Sequence, residues 1–71
     1  MKEQSIKDAM GYTFVGPDDF KQRREMLGLT QQKFAERLGL ARRTVQYYES
    51  GELDIPRTVQ LALQALELEY K

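Results

Sequence analysis

Residues 27–56 of the sequence, LGLTQQKFAERLGLARRTVQYYESGELDIP, contain the pattern that decides the fold. With Gln31 as the first position, a small residue, a glycine and two larger apolar residues occupy positions five, nine, fifteen and eighteen: Ala35, Gly39, Val45 and Tyr48. Two helices that cross at a wide angle need a small side chain at their closest approach and a glycine that adopts positive φ in the turn. The spacing therefore predicts two short helices joined by a tight turn at Gly39.

Capping and turn residues indicate where the helices around this turn begin and end. Gly16-Pro17-Asp18-Asp19 starts a helix, because proline suits the first helical position and acidic residues suit the first turn. Thr30 is the expected N-cap of the next helix. The predicted helices run from Pro17 until Gly28, from Gln31 to Leu38, from about Ala41 to Ser50 and from Pro56 to about Tyr70. The fold class that follows is an all-α, compact bundle of four to five helices.

Two of these helices have faces that suggest what they contact. The inward face of the third helix should contain Ala41, Val45, Tyr48 and Glu49, and the core face of the fourth should contain Val59, Ala62, Leu63 and Leu66. A second apolar stripe on the fourth helix consists of Leu61, Ala65 and Leu68. A helix with two apolar stripes usually buries both. The second stripe is therefore expected either to form a dimer interface or to lie under the N-terminal segment, and we favour the dimer.

The N-terminal segment differs from the rest of the chain. Residues 1–16 are interpreted as an N-terminal arm, flexible or in part a short extended segment, and residues 17–71 as the helical domain. Tyr12-Thr13-Phe14-Val15 is rich in β-branched and aromatic residues and suits a short strand. A lone strand is unstable without a partner, so an extended arm packed on the last helix is the other interpretation.

Composition excludes several classes of function. The 71 residues include no cysteine and no histidine, so a thiol nucleophile, a thiolate metal site and the usual general base are all missing. We therefore expect no enzyme activity, no cofactor and no metal site, and we attribute Asp18 and Asp19 to a helix start rather than to a catalytic pair. No apolar run is long enough for a membrane span or a secretory signal, so a cytoplasmic protein with no membrane partner is expected.

The distribution of charge is more informative than its sum. The net charge is zero, but residues 20–50 contain seven basic and three acidic side chains, a net charge of +4. Residues 51–71 contain two basic and four acidic side chains, a net charge of −2. A local positive field is therefore compatible with a chain that is neutral overall.

The quoted stretch resembles the helix-turn-helix domain of the phage repressor and Cro family, the XRE-like transcriptional regulators. The resemblance covers residues 17–66, and its distinctive parts are Leu29-Thr30-Gln31, Leu38-Gly39-Leu40 and Tyr48-Glu49-Ser50-Gly51. It implies a compact helical bundle whose third helix enters the DNA major groove, usually as part of a homodimer on a pseudo-palindromic site. Double-stranded DNA is thus the expected partner.

The same resemblance implies roles for individual residues. Gln31 matches the family glutamine that contacts a DNA phosphate, and four residues match positions that face base edges and flanking phosphates: Arg42, Arg43, Gln46 and Tyr47. Arg24 and Glu49 match a partly buried structural ion pair between the first and third helices. Ala41 departs from the family, which often has serine there, so the third helix lacks a side-chain cap worth ~1 kcal/mol.

The expected function is sequence-specific DNA binding by a small transcriptional regulator, most simply a repressor. Two alternatives remain open at this point. An antitoxin would bind its own promoter with this domain and hold a toxin, with residues 1–16 as the candidate toxin-binding segment. A protein-interaction module would keep the fold without binding DNA, although exposed arginines at the groove-facing positions argue against it.

Overall fold

The computed structural model describes residues 15–70 and consists of four helices in that range, with no strand. We number them α1 (Pro17–Met26), α2 (Gln31–Leu38), α3 (Arg42–Ser50) and α4 (Arg57–Glu69). The predicted all-α bundle is therefore confirmed, at the lower of the two helix counts. The predictions for residues 1–14, including the strand or arm at Tyr12-Thr13-Phe14, lie outside the described residues.

The residues at the helix ends explain why each helix begins and ends where it does. Pro17 occupies the first helical position of α1, whose first turn contains two acidic residues. The Oγ1 atom of Thr30 accepts a hydrogen bond from the backbone N–H of Lys33 at 3.1 Å, which confirms Thr30 as the N-cap of α2. Gly39 ends α2 with φ of +74°, a left-handed conformation that glycine adopts without a Cβ penalty.

Aromatic side chains from three helices form the centre of the core. Phe20 of α1 lies 5.1 Å from the ring of Phe34 of α2 and meets the ring of Tyr48 of α3 edge to face at 5.7 Å. Phe20, Phe34, Val45 and Leu63 are fully buried. Such tilted and edge-to-face contacts are the preferred geometries of aromatic pairs, so this cluster fixes how α1, α2 and α3 pack.

Polar contacts attach α4 to the other helices. The guanidinium of Arg23 on α1 donates two hydrogen bonds to the carboxylate of Glu67, at 2.8 and 2.6 Å. Hydrogen bonding to Glu67 raises the pKa of Arg23. Arg37 of α2 lies over the ring of Tyr70, at 5.6 Å from its centroid, and donates a hydrogen bond to the tyrosine hydroxyl. These contacts hold the carboxyl end of α4 beside α1 and α2.

Three details differ from the sequence-based predictions. Ala41 is exposed instead of inward, because it precedes the first turn of α3 as its N-cap. Pro56 is likewise the N-cap of α4 instead of its first helical residue. Ala62 is only half-buried, so the core face of α4 is formed by Val59, Leu63 and Leu66. The second apolar stripe of α4, consisting of Leu61, Ala65 and Leu68, is exposed in the described part of the chain.

Candidate nucleic-acid interface

The outward face of α3 presents cationic and amide groups to solvent. Arg42, Arg43 and Gln46 are exposed, and Tyr47 beside them is half-buried. Within residues 15–70, the side chains of Arg42 and Arg43 make no hydrogen bond and no ion pair. Because a guanidinium carries five N–H donors and no acceptor, both side chains keep a full set of donors for an external acceptor.

The opposite face of α3 is buried, which fixes the direction of the exposed face. Val45 is fully buried and Tyr48 is 6% exposed, so both anchor α3 in the core. The four outward positions are i, i+1, i+4 and i+5 of one helix and therefore form a single patch. A helix of nine residues is ~13 Å long, and the B-DNA major groove is about 12 Å wide and admits a helix.

A buried ion pair joins α1 to the last turn of α3. Arg24 Nε donates to Glu49 Oε2 at 2.7 Å, and Arg24 Nη2 donates to Glu49 Oε1 at 3.3 Å. The side chains of Arg24 and Glu49 are only 12% and 5% exposed. Arg24 Nη1 also donates to the carbonyl of Leu29 at 2.9 Å, which ties the loop before α2 to the same group. The guanidinium and the carboxylate thus have several partners each, as a buried charge requires.

Gln31, the first residue of α2, connects this ion pair to the exposed face of α3. Its Nε2 donates to Glu49 Oε1 at 3.0 Å, and its Oε1 accepts from Gln46 Nε2 at 3.4 Å. Gln31 is half-buried, and the second hydrogen of its amide nitrogen remains available for another acceptor. The structure therefore joins four of the predicted residues in one hydrogen-bond network: Arg24, Gln31, Gln46 and Glu49. Tyr47 follows Gln46 on α3, but within residues 15–70 no hydrogen bond joins its side chain to this network, and the side chains of Arg42 and Arg43 also stand apart from it.

Sequence reasoning did not find the contacts of Gln31 or the pair between Arg23 and Glu67. The two partners of Gln31 lie 15 and 18 residues away, and the partner of Arg23 lies 44 residues away. Helical periodicity relates residues three or four positions apart and carries no information over such distances. The only available signal was charge: Arg23 and Glu67 are oppositely charged residues on two helices that a small bundle must pack together.

Metal-ligand clusters and membrane-spanning helices were both sought in the part of the chain that is described. Between residues 15 and 70, no group of three or more histidine, cysteine, aspartate or glutamate residues could hold a metal ion. In that same range, every helix is too short or too polar to pass through a lipid bilayer. Asp18 and Asp19 lie exposed in the first turn of α1, as expected for residues that stabilise a helix start.

Comparison with known proteins agrees with this geometry. A family model described as helix-turn-helix matches residues 20–69, which is most of the chain and includes α1 from residue 20 onward and the whole of α2, α3 and α4. No curated protein and no solved structure matches the sequence.

Proposed function

The chain belongs to the helix-turn-helix family of Cro/C1-type, XRE-like proteins, and from this premise we propose that it is a repressor that binds a pseudo-palindromic operator as a homodimer. Family membership makes it a DNA-binding transcriptional regulator. Repression, the dimer and the roles of individual residues go beyond the family and form the proposal.

The observation that carries the proposal is that Arg42 and Arg43, at the start of α3, are exposed and have no side-chain partner among residues 15–70. Arginine suits the O6 and N7 acceptors of guanine in the major groove, and glutamine suits the N6 and N7 atoms of adenine. We assign Arg42, Arg43 and Gln46 to base edges and flanking phosphates, with Arg43 the favoured guanine reader. Tyr47 lies beside them and packs on a thymine methyl group or donates its hydroxyl to a phosphate.

Gln31 is assigned to a phosphate contact. The second N–H of its amide is the donor that this contact would use, because the first is bonded to Glu49. A phosphate contact positions the protein on DNA without distinguishing sequences. Arg24 and Glu49 have a structural role in this scheme, since their side chains are buried and bonded to each other.

Selection of bound sequences from a random DNA pool tests the function. We expect an enriched motif with two-fold symmetry, whose half-sites lie roughly 34 Å apart centre to centre, or one turn of DNA. A control selection with the double variant Arg42→Ala and Arg43→Ala should lose the motif while the protein stays folded. If the unmodified protein enriches no motif, a protein-interaction module that does not bind DNA becomes the better hypothesis.

The second apolar stripe of α4 supports the dimer. Leu61 and Leu68 are 49% and 68% exposed, and with Ala65 they line a shallow groove bordered by Gln64 and Glu67. Adjacent apolar side chains on one exposed helix face, here two leucines and the alanine between them, are typical of an interaction surface. An isologous dimer places this stripe against itself and removes it from water.

Sedimentation of charged variants tests this interface. Leu61→Glu and Leu68→Glu should each shift the protein from dimer towards monomer with helicity unchanged, because both positions are already exposed. Leu53→Glu is the matched control: Leu53 is 47% exposed but precedes α4, so this variant should sediment as the unmodified protein does. Dimerisation that survives both α4 substitutions would remove the stripe from the interface.

The antitoxin alternative rests on residues 1–16, and residues 1–14 lie outside the described residues. Val15 is 3% exposed and belongs to the core, and Gly16 is the N-cap of α1. Toxin binding therefore stays a sequence-based prediction.

A further inference from the structure

A chain of side-chain hydrogen bonds runs from the interior of the protein to its DNA-facing surface. Arg24 donates to Glu49, Gln31 donates to Glu49, and Gln46 donates to Gln31. The first member, Arg24, lies on α1, and the last, Gln46, is exposed on α3. The bonds converge on the carboxylate of Glu49: Arg24 donates to it from one side, and Gln31, which itself accepts from Gln46, donates to it from the other.

We propose that Glu49 is a positioning residue for base readout, which acts through Gln31 to fix the orientation of the Gln46 carboxamide. The inference rests on the proposed function, because it assumes that Gln46 meets a base edge. It gives Glu49 a role beyond the ion pair and gives Gln31 a role beyond a phosphate contact.

The charge of Glu49 explains why the orientation of Gln31 has only one solution. An ionised carboxylate accepts hydrogen bonds and donates none, so the amide of Gln31 must turn its NH₂ group towards Glu49. Its oxygen then faces the other way, where Gln46 Nε2 lies at 3.4 Å. Glu49 itself is held by two bonds from Arg24 and is 5% exposed, so it is a fixed reference point.

The effect on Gln46 is to select one of its two amide orientations. With one N–H bonded to Gln31, Gln46 retains its carbonyl oxygen and one N–H for the groove. Adenine presents an N6 donor and an N7 acceptor, which match this pair of groups. Without Gln31, an exposed glutamine samples both orientations and many rotamers, and only some of them match adenine. Gln31 and Gln46 should therefore influence the same base pair.

Binding measurements on the selected site and its single-base variants test the proposal. Gln31→Met keeps the length of the side chain and removes its hydrogen bonds. It should lower discrimination at the base pair affected by Gln46→Met, by roughly threefold to tenfold, as expected for coupled neighbours. The double variant should discriminate at that base pair no worse than Gln46→Met alone. Gln32→Met is the matched control, because Gln32 is exposed on the same helix turn and bonds to Glu36 instead.

Glu49→Gln tests the origin of the orientation. A carboxamide at position 49 both donates and accepts, so it no longer dictates which way Gln31 turns. We expect lower discrimination at the same base pair, measured on protein that circular dichroism shows to be folded. A purely structural Glu49 would scale binding to all sequences equally, because a smaller folded fraction does not change the ratio between two sites. If Glu49→Gln fails to fold, the loss of discrimination in Gln31→Met is the test of the proposal.

The outcomes separate the two hypotheses. If the unmodified protein selects no motif, the proposed function fails and this inference fails with it. If a motif is selected but Gln46→Met alters preference at no base pair, only the inference is overturned. It is also overturned if Gln31→Met weakens binding to every sequence by the same factor, since that is the behaviour of a phosphate contact alone.

Discussion

The two ends of α3 are built in opposite ways. At the carboxyl end, Tyr48 is buried, Glu49 is paired with Arg24, and Gly51 ends the helix with φ of +87°. At the amino end, Ala41 provides no side-chain cap, and the next two residues are exposed arginines without partners in the described chain. The nine residues of α3 thus contain a buried, paired charge at one end and, at the other, two exposed charges that have no protein partner among residues 15–70.

The proposed contact between DNA and the amino end of α3 would account for this difference. The first turn of a helix carries a partial positive charge and unbonded N–H groups, so basic side chains there are unfavourable in the isolated protein. The first turn of α3 contains no acidic residue, whereas that of α1 contains Asp18 and Asp19. A phosphate or a base acceptor beside Arg42 and Arg43 would reverse this disadvantage, because both the helix end and the guanidinium groups attract it.

Removing the ion pair at the carboxyl end of α3 should have the largest effect on stability. Glu49→Ala leaves Arg24 as a buried charge without its carboxylate, and removal of one member of a buried pair costs ~3–5 kcal/mol. That loss is comparable with the whole stability of a domain of this size, so thermal unfolding followed by circular dichroism should show a melting temperature lowered by more than about 12 °C, or no folded state.

Glu52→Ala is the matched control for this prediction. Glu52 is exposed, and its side chain has no partner within residues 15–70. Surface substitutions away from special features usually change stability by about 0.5 kcal/mol or less. Equal melting temperatures for Glu49→Ala and Glu52→Ala would show that the ion pair contributes nothing in solution.

Removing one of the two arginines at the amino end of α3 should change DNA binding and leave stability nearly unchanged. Arg42→Ala or Arg43→Ala removes a side chain without partners in the described structure, and it relieves repulsion at the helix start. The variant that loses a bidentate guanine contact should lose ~1–3 kcal/mol of binding on the preferred site and relax the preference at one base pair. Binding titrations on the selected site and its single-base variants measure both quantities.

Arg37→Ala provides a control for the loss of one positive charge, although it also removes the contact between Arg37 and Tyr70. Arg37 is exposed at the far end of α2 and bonded to Tyr70, so its loss removes the same charge away from the proposed contact. It should weaken binding to all sequences by a similar small factor. Unchanged DNA affinity for both α3 variants would contradict recognition by this helix.

The sequence predicted most of what local rules determine. The limits of α2 follow from the Thr30 cap and from Gly39, and the buried residues Phe34, Ala35, Val45 and Tyr48 follow from helical spacing. These features depend on neighbours within one or two turns, which a pattern of residues records directly. Ala41 was misplaced because the periodicity of α3 was extended one residue beyond the helix start, where side chains no longer follow it.

The contacts of the candidate site depended on tertiary packing instead. The residue types at positions 31, 42, 43 and 46 could be assigned to a DNA-facing surface only through the resemblance to a family. The bonds from Gln31 to Glu49 and from Gln46 to Gln31 require the crossing of α2 and α3 at one particular distance and angle. No propensity or spacing rule specifies that distance.

Adding a side-chain cap at the amino end of α3 should have the smallest effect on stability. It should also make the two ends of α3 more alike in their hydrogen bonding. Ala41 has φ of −77° and ψ of 149°, close to the −75° and 167° of Thr30, whose hydroxyl caps α2. The backbone at position 41 already has the geometry of a capping residue. The hydroxyl introduced by Ala41→Ser would accept a hydrogen bond from a backbone N–H in the first turn of α3. Ala41→Ser should therefore stabilise the protein by ~1 kcal/mol.

The expected rise in melting temperature is about 4–8 °C for a domain of this size, because the entropy of unfolding is small in short chains. Thr30→Ala is the matched control and should lower the melting temperature by a similar amount, since it removes the corresponding bond at 3.1 Å from α2. DNA affinity should stay the same or rise with Ala41→Ser, because a hydroxyl at this position is also able to donate to a phosphate. A melting temperature that falls with Thr30→Ala but does not rise with Ala41→Ser would mean that the first N–H groups of α3 gain nothing from a cap, and that the two ends of α3 differ only in charge.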